Sequence, residues 1–272
     1  MPTLVETRDR ERIEAFLRRD RELHVYELGD LDPFFWPRTT WWAAVPCDEI
    51  AALALLYRGP SIATLLVLER GDVAAARWLL GALSQKLAEP FYAHFSPGLA
   101  DALGDRERTL HGAHRKMTLR TLPEVEPAGV DRLGAGDRIA LQDLYARAYP
   151  SNWFDPRMLE TGEYFGVRQS NRIIAVAGVQ VVSPGQGVAA LGNIVTDPDH
   201  RRRGLARRCT AAVCRSLLRR VDIVALNVAT DNEGAIACYR ELGFENTAPY
   251  EEWMVAGKKD APSATAGRLR PL

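Results

Sequence analysis

Little in this chain could staple it, anchor it or draw it by charge. Among 272 residues there are 4 cysteines, Cys47, Cys209, Cys214 and Cys238, with no C-x-x-C pair and no metal-ligand spacing. Buried free thiols in a reducing compartment are therefore expected, and no metal. No apolar run approaches the ~20 residues that a membrane span needs. Met1 leads into charged residues and not into an apolar stretch, so no secretory leader is expected, and a cytoplasmic location follows as the expectation. Charge of one sign is missing as well. With 35 Lys+Arg against 35 Asp+Glu the formal net charge is +0, so no global field recruits nucleic acid or a lipid surface, and any basic site is local. Neither a three-glycine dinucleotide fingerprint nor a P-loop Lys-Ser/Thr is found. No Ser- or Cys-based nucleophile arrangement is visible either. The 47% hydrophobic and 26% charged residues are those of a globular chain, long enough for two domains.

The informative stretch is residues 191–208. An apolar strand stops, a Pro turn follows, then an arginine-rich loop with a single glycine, Gly204, and then an amphipathic helix. Free N–H groups at a helix start point outward and its dipole favours negative charge, so the order strand, loop, helix makes a phosphate site. Arg201, Arg202, Arg203, Arg207 and Arg208 surround that start. Further on, Asn232, Ala235, Tyr239, Gly243 and Phe244 form a second block that reads as a capped helix ended by glycine.

Arg201-x-x-Gly204-x-Ala206 matches the Q/R-x-x-G-x-G/A signature of the GNAT superfamily of acyl-CoA-dependent N-acyltransferases. The second block resembles that family's N-x-x-A-x-x-x-Y-x-x-x-G-F. The two in order and register cover residues 128–256. The resemblance implies an α/β fold, a mixed sheet flanked by helices, with acetyl-CoA as the coenzyme. It implies an amine-bearing acceptor as the partner, attacked directly in a ternary complex. The phosphates would lie on the N–H groups of Arg202, Arg203, Gly204, Leu205, Ala206 and Arg207, after Arg201 opens the turn. The strand before the loop would splay from its neighbour and free backbone groups at Ile194, Val195 and Thr196 for the pantetheine arm and the acyl carbonyl. Tyr239 stands where the family's tyrosine protonates the leaving thiolate. Asn232 would cap its helix and, with Ala235 and Asn227, contact the coenzyme.

The acceptor is expected under the connection after the helix at residues 137–149. Its side chains Tyr149, Asn152, Trp153 and Phe154 are polar and aromatic, and the corresponding connection covers the acceptor in similar enzymes. Glu163, at the start of the next strand, is the first candidate for the general base, and Asn193 is a positioning group. A rival reading is a non-catalytic acyl-CoA-binding or sensing module, which would keep the loop and tolerate loss of Tyr239. A second, nucleic-acid binding through the arginines, is disfavoured by the zero net charge. The expected oligomeric state is monomer or homodimer.

The first part of the chain repeats the same order of elements without a coenzyme signature. Helices are expected at residues 8–19 and 24–31. Three strands follow within residues 40–68, then a helix at 72–87, a strand at 90–95, a short helix near Leu99 and a strand at 114–119. A diverged GNAT-like domain is thus expected at residues 1–122, joined by a Pro/Glu linker at 123–129 to the acyltransferase domain at 130–256. A flexible tail is expected at 257–272. The aromatic cluster Phe34, Phe35, Trp36, Trp41 and Trp42 is expected in packing between these parts. The pair His111 and His114, three apart, lacks a third ligand.

Overall fold

A computed structural model describes residues 2–71 and 73–257. Most of the expected tail, residues 258–272, lies outside the described residues. The first half runs β1 (Thr3–Thr7), α1 (Arg10–Leu17), α2 (Val25–Gly29), β2 (Thr39–Val45), β3 (Ala52–Arg58), β4 (Ala63–Val67), α3 (Ala74–Lys86), β5 (Phe91–Phe95) and β6 (Arg108–Leu119). The second runs β7 (Val130–Leu133), α4 (Arg138–Ala148), β8 (Tyr164–Gln169), β9 (Arg172–Ser183), β10 (Val188–Thr196), α5 (Leu205–Leu217), β11 (Ile223–Ala229), α6 (Glu233–Glu241) and β12 (Phe244–Val255). The halves repeat each other, with a 3-10 turn at Leu99–Leu103 standing where α6 stands.

The strands form one 12-stranded sheet in the order β1-β2-β3-β4-β5-β12-β6-β11-β10-β9-β8-β7. That order is a reciprocal exchange. The last strand of the first half, β6, lies against β11 of the second, and the last strand of the second, β12, lies against β5 of the first. The two exchanged strands then pair with each other over nearly their whole length, from Phe244↔Leu119 to Val255↔Arg108. Pairing is antiparallel except within each half's central pair, where β4 runs parallel to β5 and β10 to β11. Parallel strands covered on both faces read as nearly continuous apolar runs, as β10 and β11 do.

Helices tighten the exchange. The large core cluster takes Ile13, Leu17 and Leu28 from α1 and α2 together with Val179, Val181 and Leu191 from the second half. A smaller cluster fills the space between α3 and the first-half strands, around Leu79, Leu80, Leu83, Phe91 and Phe95. In the aromatic stretch Phe35, Trp41 and Trp42 are buried. Trp36 lies under the Arg10 guanidinium at 4.4 Å, and Phe34 under that of Arg157, from the other half, at 4.8 Å. The linker is fastened to α5 by two arginines: Arg208 donates to Ala128 O at 2.6 Å and Arg215 to Val125 O at 2.8 Å.

Some elements differ from the sequence reading. Strand β1 was not expected; it is an edge strand paired only to β2. Strand β6 begins at Arg108, well before its buried end at residues 117–119, and β12 runs through the polar stretch after Phe244. Asp137 precedes α4 and is of a capping type, yet its carboxylate makes no cap bond to α4; it accepts from Gly134 N–H at 2.9 Å, closing the 3-10 turn before the helix, and from Arg168.

Candidate active site

The site is built where β10 and β11 part. Their ladder runs only from Val188↔Ile223 to Leu191↔Leu226. On its other side β10 pairs Gly192 with Gly178 and next Val195 with Val176, so residues 193 and 194 bulge out of the ladder. Asn193 takes the strain with a φ of 55°, and three groups hold it there. Tyr145 donates to its carbonyl at 3.0 Å, its amide donates to the Tyr164 hydroxyl at 2.8 Å, and Gln180 approaches its Oδ1 at 3.4 Å. Tyr164, fully buried, passes its own proton to Val179 O at 3.0 Å. The open strand ends carry two buried polar atoms without a hydrogen-bond partner, Thr196 Oγ1 and Asn227 Oδ1.

Beyond Thr196 the chain turns through Pro198–His200 and then enters the arginine loop. Asp197 fixes this turn. Its buried carboxylate pairs with Arg147 at the end of α4, accepts from Asp199 N–H at 3.2 Å and faces His200 Nδ1 at 3.4 Å. Burial works to raise its pKa, but the Arg147 bond and the turn N–H outweigh it, so the group ends below the ordinary carboxylate range. Arg202 and Gly204 are left-handed, with φ of 61° and 70°. At Gly204 a Cβ would meet nothing within 4 Å, so the glycine answers to its backbone angle and leaves the loop's outer side open. The first N–H after this loop to find a carbonyl is that of Arg208, bonded to Gly204 O at 3.0 Å. Among the described residues the N–H groups of residues 202–207 find no carbonyl, as the start of a helix dictates for its first turn. Arg202 and Arg203 are exposed and pair with no acidic group among the described residues. Arg207 instead turns to Glu241 of α6 at 3.6 Å.

The corresponding parallel pair of the first half is shut. Strands β4 and β5 pair to their ends, Val67↔Phe95. Ser96 then staples them, its N–H donating to Val67 O at 3.2 Å and its hydroxyl to Glu69 O at 2.8 Å. No bulge or gap arises there among the described residues.

Of the second block, Asn232 caps α6 by accepting from Ala235 N–H at 3.1 Å. Tyr239 is 8% exposed, packs edge-on against Phe244 at 6.0 Å, and its hydroxyl bonds to no described residue. Burial, then the neighbouring Cys238, Tyr149 and Cys214, push its pKa well up, so the phenol keeps its proton at neutral pH. The connection after α4 divides. Phe154 turns inward, 5.0 Å from the Tyr145 ring and 5.7 Å from that of Tyr164. Asn152 accepts from Phe154 N–H at 3.2 Å and shapes the turn. Tyr149 and Trp153 stay 41% and 39% exposed, and Trp153 crosses to the first half, 5.1 Å from the Tyr92 ring.

Glu163 is not brought to this cleft. Tyr164 turns toward Asn193, whereas the Glu163 side chain goes the other way, to Arg220 beyond the C-terminal end of α5 at 2.9 Å, with Arg132 at 3.9 Å. It is 1% exposed and serves an ion pair far along the helix from Gly204.

Sequence reasoning missed the groups on the exchanged strands. Strand neighbours share a face, so Asn227↔Lys116, Ala229↔His114, Tyr250↔His114 and Glu252↔His94 set one row of side chains across four strands. Glu252 is its hub. One carboxylate oxygen accepts from Tyr250 at 2.6 Å and faces His94 Nε2 at 3.4 Å; the other accepts from Tyr92 and faces His114 Nε2 at 3.5 Å. The alternation in Phe91–Phe95 is a signal, but only strand order shows what it meets.

The sequence model of the acetyltransferase (GNAT) family matches residues 138–244. The [ribosomal protein bS18]-alanine N-acetyltransferase of Escherichia coli (strain K12) is 38% identical over 120 residues, 42% of this chain and 79% of that protein. The mycothiol acetyltransferase of Kocuria rhizophila is 37% identical over 115 residues, 40% of this chain but only 36% of that protein. Two solved structures share the fold over both halves. A Drosophila protein has a TM-score of 0.68 at 16% identity, covering 94% of this chain and 99% of its own. A tandem GNAT protein from the clavulanic acid biosynthesis pathway has a TM-score of 0.57 at 18% identity, covering 96% and 100%. Bulge, parted strands, glycine turn and free helix start lie within the matched residues, and the chain belongs to the GNAT acetyltransferase family.

Proposed function

We propose that this protein is an N-acetyltransferase that moves an acetyl group from acetyl-CoA to a primary amine by direct attack in a ternary complex. The observation that carries the reading is the gap between β10 and β11 ending at the free N–H groups before α5. The donor set fits the coenzyme. The N–H groups of Arg202, Arg203, Gly204, Leu205, Ala206 and Arg207 suit phosphate oxygens, with the Arg202 and Arg203 guanidinium groups free to add charge-assisted bonds. The unpartnered Asn227 Oδ1 and Thr196 Oγ1 suit an amide-bearing arm lying between the strands. When bound, acetyl-CoA supplies an activated acyl thioester.

The rest of the chemistry belongs to the chain. The bulge turns backbone at Asn193 and Ile194 out of the ladder, just before Val195 rejoins it, and an N–H there can meet the developing oxyanion, worth about 3 kcal/mol in the transition state. Tyr239 holds a proton at its hydroxyl and is the acid for the departing thiolate. Asn232 fixes the start of its helix, beside Ala235. Tyr149 and Trp153 cover the acceptor, while Asn152 and Phe154 shape the loop that carries them. The first half, residues 1–122, binds no coenzyme of its own, because its strand pair is stapled by Ser96; it completes the sheet and walls the acceptor side. Glu163 holds Arg220; the acceptor gives one proton to water to attack as the neutral amine, and the second, lost as the adduct collapses, restores the proton that Tyr239 gave to the thiolate.

Calorimetric titration with acetyl-CoA, followed by a free-thiol assay over an amine panel, tests this. Binding that Gly204→Glu abolishes, with thiol release dependent on an amine, is the expected result. Absence of acetyl-CoA binding to folded protein would sink it.

A further inference from the structure

A cavity of about 560 Å³ opens on the side-chain row of the exchanged strands, lined by Tyr92, His111 and His114, by Glu252, and by Thr230 and Asp231 at the end of β11. Its chemistry is one-sided. The chain carries 35 Lys+Arg, yet no lysine or arginine lines this cavity, whereas two carboxylates do. The other walls are rings. Tyr92 lies 5.3 Å from His111, and on its far side the Trp153 ring of the loop after α4 packs against it at 5.1 Å. Carboxylate and ring faces together are the surroundings a desolvated organic cation prefers.

The cavity also adjoins the coenzyme cleft. Ala229, on its wall, is two residues from Asn227 on the same strand face, about 7 Å away at the rise of a strand.

Glu252 is kept anionic for the role. Burial works to raise its pKa, but the facing His94 and His114 and the two phenols outweigh it, and the group ends below its ordinary value. Its contacts to the phenols are short, whereas those to the imidazoles, at 3.4 and 3.5 Å, are long enough to give way to an arriving ammonium.

We propose that this cavity is the acceptor subsite, and that it selects a primary ammonium on an apolar or aromatic stem, without carboxylate or phosphate, held by Glu252. This rests on the acyltransferase reading above. It makes the acceptor site a product of the strand exchange, since Tyr92 and His114 come from the first half and Glu252 and Trp153 from the second.

The test uses the full chain and three probes of one shape: phenethylamine, phenylalanine and 3-phenylpropionate. Binding is followed by calorimetry and by the imidazole C–H resonances of His111 and His114. Phenethylamine should bind and shift both resonances. The other two should bind at least about 30-fold more weakly, because their carboxylate meets Glu252 and Asp231. Glu252→Gln should weaken phenethylamine about tenfold and leave acetyl-CoA affinity within about twofold. Asp231→Asn, at the exposed mouth, should give a smaller loss and guards against a folding defect in the first variant. Equal affinity for the three probes, or phenethylamine binding that leaves the histidine resonances still, overturns the assignment. Phenethylamine binding with no acetyl-CoA binding would refute the acyltransferase reading and leave a cation site standing.

Discussion

Replacing Tyr164 by Phe tests how the bulge is held. The ring is fully buried and stays in place, so no cavity forms; only the hydroxyl is lost. That hydroxyl accepts from the Asn193 amide at 2.8 Å and donates to Val179 O at 3.0 Å. The carbonyl sits in a ladder, so the larger cost is a buried amide left without an acceptor, about 1–3 kcal/mol. In a chain of this size that lowers the melting temperature by roughly 2–10 °C. A second consequence is specific to the site. Asn193 is left-handed at a φ of 55°, a conformation costing about 1–2 kcal/mol outside glycine. Freed of its tie to Tyr164, the residue relaxes and the bulge flattens toward the space where the acyl group is expected. Acetyl-CoA affinity should fall by about tenfold, read by calorimetry beside thermal unfolding. Gly178→Ala attacks the same contact from the other side, since a Cβ there would lie 2.3 Å from the Tyr164 ring. Overpacking of that kind costs about 1–3 kcal/mol. If Tyr164→Phe shifts stability by less than about 0.5 kcal/mol and leaves coenzyme affinity intact, the tyrosine does not hold the bulge.

Other expectations follow from the same geometry. Tyr239→Phe should lower kcat by about 10²-fold or more, the range of general acid catalysis, while acetyl-CoA affinity stays; unchanged turnover would take the acid role away from it. Gly204→Ala should lose about 1–2 kcal/mol of stability to its φ of 70° with no clash, and weaken acetyl-CoA disproportionately. Saturating acetyl-CoA at about 100 times Kd should stabilise the fold by about 2.7 kcal/mol, and a flat melting temperature would contradict binding. Burial, against the pull of Glu252, holds His94 below its ordinary pKa of 6.5. The folded chain then binds this proton less readily than the unfolded chain, so the contribution is whole above 6.5 and is lost as pH falls through the depressed value. His94→Gln should flatten the melting curve against pH just below 6.5; an unchanged slope would show that another group titrates there.

The loop at Gly204 and the helix it opens were legible because they are set by local rules. Gly204 is fixed by a backbone angle, Asn232 by a capping bond, and α5 by an apolar stripe, and each can be read from a short window. The acceptor side was not, because its residues meet only through strand order. His94, His114 and Glu252 lie on three strands, one of them exchanged from the far end of the chain. The polarity that makes them candidates also hid the strands. The start of β6, with Arg108, His111 and Gly112, reads as a loop, and in β12 Glu245, Asn246 and Pro249 break the strand pattern before Tyr250. Pro249 is tolerated close to the bulge between Asn246 and Ala248, where the ladder is already broken. The direction of Glu163 was hidden for a simpler reason: adjacent residues entering a strand point to opposite sides, so with Tyr164 turned to Asn193 the Glu163 side chain meets Arg220.

The exchange of β6 and β12 also sets a timetable for synthesis. Strand β6 is complete at Leu119, but its partners β11 and β12 are made last. At cellular elongation rates of about 5–20 residues per second, the first half waits on the order of ten seconds with the edges of β5 and β6 open. Open edges invite pairing with other nascent chains, and charge along an edge discourages it. Strand β6 carries Arg108, His111, His114, Arg115 and Lys116 along its length. Two of these, His111 and His114, later line the cavity; on the ribosome all five first keep an unfinished sheet from closing on its neighbours.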